Sequence, residues 1–180
     1  MNIVRVSLTL FVGLMLFSVS IVGQTKFSDP NVEYEFILPE EDWKMTVTPS
    51  EYSPNVEYVY KDKREGHLEI RKLTTDPEDL FSDVIRGEEE KLQFKPGYVA
   101  GKEENFLGAM TGMVFNFEYV SSGRNYSGRY YFLRENSTTI YVVRFTGLKD
   151  MLRLIRNQTD YIARTFKIKE VKVSKRLKSN

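Results

Sequence analysis

The sequence predicts an α+β fold, an antiparallel sheet of about six to seven strands flanked by two main helices, and three observations carry that expectation. Short stretches of alternating apolar and polar residues recur along the chain, with turn residues between them. Two stretches keep helical spacing instead, one after Asp76 and one from Leu148. One strand candidate, "TIYVVRF", is apolar on both faces, the pattern of a central strand covered on both sides.

The fold is preceded by a leader. "MNIVRVSLTLFVGLMLFSVSIVG" holds a single cation, Arg5, then an apolar run over 6–22, no acidic residue, and the small residues Ser18, Ser20 and Gly23. This is the layout of a secretory signal peptide over 1–23, cleaved after Gly23 or Ser20, with an uncleaved membrane anchor as the alternative. The protein is therefore expected to be exported, either periplasmic or secreted. Residues 24–31 read as a mobile leader to the domain, 32–169 as a single domain, and 170–180 as a basic tail.

The elements follow in order. In "YEFILPEEDWKM", Tyr34, Phe36 and Leu38 share one face of a first strand. Pro39 ends its ladder, the acids form a wet turn, and Trp43 returns the chain to the apolar layer. "NVEYVYKD" and "HLEIRKLT" read as two more strands; in the second, Leu68 and Ile70 face one way and Glu69 and Arg71 the other. Thr75 or Asp76 is expected to cap the first helix, with Pro77 in its first turn and Glu78 and Asp79 at its positive end. Pro96 and Gly97 stop it. "YVAGKEENFL", "AMTGMVFNFEYV", "NYSGRYYFLRE" and "TTIYVVRFTG" then form an antiparallel meander, with "SSGR" among its turns. Met113, Phe115, Phe117 and Tyr119 line one face of it. The last element, "LKDMLRLIRNQTDYIARTF", reads as one amphipathic helix, with Leu148, Met151, Leu152, Ile155, Thr159, Ile162 and Phe166 in a stripe and Arg153, Arg156 and Arg164 away from it.

Composition narrows the chemistry. Hydrophobic residues make up 41% of the chain, enough for a core without staples, and there is no cysteine. A disulfide framework, a thiolate nucleophile and a cysteine metal site are excluded. The single histidine, His67, rules out a histidine-rich zinc site and sits at a strand edge in "REGHLEI". "PEEDW" and "DPEDLFSD" offer carboxylates without the spacing of a calcium loop, and Gly108 and Gly112 lack the lysine of a phosphate loop. No catalytic residue, cofactor or metal is assigned; a carboxylate-based hydrolase is the one enzymatic alternative left open.

Charge is informative by region. Residues 164–180 hold seven basic side chains (Arg164, Lys167, Lys169, Lys172, Lys175, Arg176 and Lys178) against Glu170. Such a tail keeps a protein soluble and can touch an anionic membrane surface weakly, while export argues against nucleic acid. Three cations interrupt strands: Arg71, Arg129 and Arg144, the last inside "YVVRFTG". A charge there needs a partner. Either Arg144 reaches solvent from the end of its strand or pairs with a neighbour such as Glu118, or Arg144, Arg129 and Arg71, with Tyr130 or Tyr131 beside them, form a patch for an anionic ligand or a protein partner. The candidate patch is thus Arg144, Arg129, Arg71 and Tyr131.

The stretch "FILPEEDWKM", with Pro39 and Trp43 as its signature, resembles the opening of exported bacterial PsbP-like domains, the DcrB-like proteins among them. The resemblance covers 32–169 and extends to the order of elements. It implies a PsbP-like sandwich, a fold used by a photosystem extrinsic subunit and by a nuclear-import factor, with unrelated binding roles and no catalytic residues to carry over. The expected function is therefore an exported, non-enzymatic binding or accessory domain, with another envelope protein as partner. The alternative is a carrier of an apolar or anionic small molecule between sheet and helix.

Overall fold

A computed structural model describes residues 23–39 and 41–170. The expected signal peptide, save Gly23, and the tail residues 171–180 lie outside the described residues. Seven strands form one antiparallel sheet: β3 (Trp43–Val47), β4 (Val56–Tyr60), β5 (Gly66–Thr74), β9 (Thr139–Leu148), β8 (Arg124–Asn136), β7 (Thr111–Ser121) and β6 (Val99–Leu107), in that spatial order. A smaller sheet holds β2 (Tyr34–Leu38) between β1 (Thr25–Ser28) and β10 (Lys167–Ile168). The α+β expectation is met.

The core has two halves, one on each face of the large sheet. Tyr141, Val143 and Phe145 of β9 enter one half and Ile140 and Val142 the other, and β9 lies between β5 and β8. Its two-sided apolar pattern thus reflects a position covered from both sides. The first half is closed by the small sheet and by two short helices, α2 (Lys149–Leu154) and α3 (Arg156–Thr165), through Leu152, Ile155, Ile162 and Phe166. The second is closed by α1 (Phe81–Glu90), whose Ile85 is packed with Phe115, Phe117 and Phe132. Gly128 belongs to this face because a Cβ there would stand 2.0 Å from the Phe117 ring. Between β7 and β8, Ser122 (φ 49°) and Gly123 (φ 71°) make a two-residue hairpin with both residues left-handed, the turn whose twist matches paired strands.

Four local expectations are corrected. Residues 24–31 are not a mobile leader: β1 pairs with β2, and Phe27 stacks on Phe36 at 4.7 Å with 5% of its surface exposed. A four-residue strand with one buried side chain leaves almost no alternation to read. Trp43 does return the chain to the core, but it also starts a strand, β3, in which the next four residues are all exposed. The first helix begins at Phe81, not at Pro77. Residues before it form a turn in which the Asp79 carboxylate accepts from the Asp76 amide and the Asp79 carbonyl accepts from Arg134, while Asp83 accepts from the Leu80 amide. Finally, the closing helix is interrupted at Ile155 (φ −91°, ψ 14°). Buried residues continue at three- and four-residue steps across the break, so the apolar stripe conceals it.

Candidate functional site

The four residues of the sequence-derived patch lie on opposite faces of the large sheet. Strand register decides this, because directly opposed residues share a face. Arg144 is opposite Glu69 on one side and Tyr130 on the other, and Arg71 is opposite Val142. These side chains share the face covered by α1. Arg129 is opposite Phe145 and Tyr131 is opposite Val143, so this pair shares the other face, toward α2 and α3.

On the α1 face the cations are spoken for. Arg144 donates Nη1 to Glu69 at 3.1 Å and Nη2 to Glu88 of α1, and its guanidinium lies 5.4 Å from the Tyr130 ring. Arg71 donates to Glu69 and lies 3.6 Å from Glu57, which also meets His67 Nε2 at 2.9 Å. Lys91 completes the row on Glu88 at 2.6 Å. The expected partner Glu118 is on the other face, where it takes Lys149 at 2.7 Å. Burial raises the Glu69 pKa, but the hydrogen bonds and charges of Arg71 and Arg144 together outweigh it and leave the carboxyl below its ordinary 4.5. A lowered folded pKa contributes stability above the unfolded value, and that contribution disappears as pH falls through the folded one. Glu69→Gln is therefore expected to flatten the loss of stability in acid. Denaturant titrations at about pH 7 and at steps below about pH 4.5 check this, and a variant as acid-sensitive as the wild type would refute it.

The α2–α3 face is open where α1's is filled. A cleft of about 450 Å³ runs between β6–β8 and the two helices. Val99, Ala100, Phe117 and Leu152 are its apolar lining residues, and Asn116, Glu118 and Ser127 line it from the strands. Four cations line it: Arg129, Lys149, Arg153 and Arg156. Arg129 is the fixed one, with 8% exposed. Its Nε donates to Tyr131 Oη at 2.6 Å and to Asp160 Oδ1 at 3.0 Å, its Nη2 to the same oxygen at 2.9 Å, and its Nη1 to Asn116 Oδ1 at 2.6 Å. Tyr131 in turn donates to Asp160. Burial pushes the Tyr131 hydroxyl far above its ordinary range, with Arg129 opposing and Asp160 adding to the shift, so it stays a donor. Arg153 pairs with Asp150 at 3.3 Å with both side chains in water, and Arg156 has no acidic partner among the described residues.

Of the sequence-derived candidates, only Arg129 lines this cleft, with Tyr131 bracing it. Lys149, Arg153, Arg156, Asn116 and Asp160 are absent from the sequence-derived patch. The available signal is that Arg153 and Arg156 stand off the apolar stripe; what they face depends on the packing of α2 against β8.

No protein-family model and no curated protein sequence matches the chain. Solved structures do. The Ran-binding protein Mog1p of Saccharomyces cerevisiae matches with a TM-score of 0.58 at 11% identity, over 82% of this chain and 96% of its own. LpqN of Mycobacterium tuberculosis, involved in cell envelope biogenesis, matches at 0.55 and 15% identity, over 82% and 91%. A cyanobacterial PsbP from Synechocystis matches at 0.54 and 14%, over 84% and 96%. The chain has the PsbP-like fold that the element order led one to expect.

Proposed function

We propose that this chain is an exported, non-enzymatic binding or accessory domain that engages another protein of the cell envelope through the cleft between β6–β8 and α2–α3. The observation that carries the reading is the cleft itself, a concave, partly apolar surface ringed by Arg129, Lys149, Arg153 and Arg156, with Arg129 held rigidly and Arg156 unpaired among the described residues. Fixed guanidinium groups beside apolar surface are what protein contact sites use as anchors. Export rests on the apolar leader, and weak attraction of the basic tail to an anionic membrane would keep the domain near its partner. That LpqN takes part in envelope biogenesis and that Mog1p binds Ran agree with a binding role on this fold. No helix among the described residues is long and apolar enough to cross a membrane.

Affinity capture from an envelope extract tests the reading. The full chain is expected to retain a protein that the Arg153→Glu/Arg156→Glu variant loses, with both melting at the same temperature because neither side chain is buried. Equal capture by the two would refute the cleft as contact site. A second reading, a carrier of an apolar or anionic small molecule, is favoured by the place and size of the cleft, between sheet and helix and within the roughly 300–1,000 Å³ of small-molecule sites. Native mass spectrometry of the purified protein would show a retained ligand in that case.

A further inference from the structure

Resting on the reading of the cleft as a contact site, we infer that its occupant is an extended acidic segment of the partner polypeptide, held by carboxylates at Arg129 and Arg156 and by its backbone along the outer edge of β6. The first ground is the unused hydrogen-bonding capacity of Arg129. A guanidinium has five N–H donors. Asp160, Tyr131 and Asn116 engage Nε–H and one N–H on each terminal nitrogen. One N–H on Nη1 and one on Nη2 remain, on a group already fixed in place, so a carboxylate meets them with little further ordering.

The second ground is charge. Asp160 offsets Arg129, Glu118 offsets Lys149 and Asp150 offsets Arg153, while Arg156 is left without an acidic partner among the described residues. The cleft mouth therefore keeps an excess of positive charge that an acidic chain neutralises.

The third ground is the position of β6. It is the last strand of the large sheet and pairs only with β7, so its outer backbone groups have no ladder partner among the described residues. Its Val99–Gly101 portion lines the cleft. The pairing with β7 is irregular between Ala100 and Glu103, and a Cβ on Gly101 would stand 2.5 Å from the Asn116 carbonyl oxygen. The edge thus bends where it borders the cleft, and side chains of an added strand would alternate toward the cations. Cations gathered round one concave opening suit a row of carboxylates better than a plane of lipid headgroups.

Fluorescence anisotropy of a labelled oligoglutamate peptide on the full chain tests the inference, with oligoglutamine as the neutral control. Binding is expected for oligoglutamate alone, about tenfold weaker in Arg153→Glu/Arg156→Glu, and weaker as sodium chloride rises. Changing Lys172, Lys175, Arg176 and Lys178 together to alanine is expected to leave it within about twofold. Loss of binding in that tail variant with no loss in the cleft variant would overturn the inference, as would tighter binding to phosphatidylglycerol vesicles than to the peptide. So would no binding of oligoglutamate; if envelope-protein capture still depended on Arg153 and Arg156 in that case, the contact site would stand and only its acidic occupant would fall.

Discussion

Trp43→Ala is expected to destabilise the protein by about 3–5 kcal/mol, the cost of emptying a buried aromatic site. The indole is 5% exposed. It lies 5.3 Å from the Tyr60 ring and 5.9 Å, edge to face, from Phe145. Its Nε1–H donates to Gln158 of α3 at 2.8 Å. One side chain therefore joins β3, β4, β9 and the closing helix, and its loss leaves both a void and an amide oxygen without its donor. For a domain of this size the melting temperature should fall by roughly 10 °C. Trp43→Phe, which keeps most of the volume and loses the N–H, should recover more than half of that. Unchanged stability in the alanine variant would mean that the ring does not pack as described.

Arg144→Ala should cost about 2–3 kcal/mol for a different reason. The substitution takes a guanidinium off the Tyr130 ring and leaves two carboxylates, on Glu69 and Glu88, with one cation fewer each. Glu88 is 5% exposed and would keep Lys91; Glu69 would keep Arg71. Those remaining pairs hold the expected loss below that of a wholly orphaned buried charge. The wild-type row is itself imperfect, since Arg144 Nε is buried with no hydrogen-bond partner. Pairing the change with Glu88→Gln should therefore be milder than the sum of the two single substitutions by about 1 kcal/mol or more. Denaturant titrations of all four proteins give the comparison. A stable Arg144→Ala protein with lost partner binding would restore Arg144 as a contact residue.

Both expectations concern side chains that the sequence singles out, and their surroundings in the fold show where sequence reading stops. Trp43 is legible as a core residue because an isolated aromatic follows a turn of wet acids. The meander is legible because β7, β8 and β9 are long and carry alternating or continuous apolar stretches. The arginines are legible as anomalies but not as a site. Arg129 and Arg144 look alike in sequence, each an interruption of an apolar strand. Only the register, which sets Tyr130 rather than Arg129 against Arg144, reveals that they face opposite sides. A shift of one residue would reverse that. The cleft is illegible for a further reason: it needs a strand edge, a broken helix and two strand faces from distant parts of the chain at once.

The small sheet has a consequence for the order in which the protein can assemble. β2 pairs with β1 on one side within a few residues, but its other side waits for β10, where Lys167 meets Glu35 and Ile168 meets Tyr34. During vectorial synthesis, β2 therefore has one unsatisfied edge until nearly the whole domain has emerged. Loop closure over such a separation comes late. The two residues that close it act as a latch, and a chain cut before Lys167 would present a bare strand edge to its neighbours.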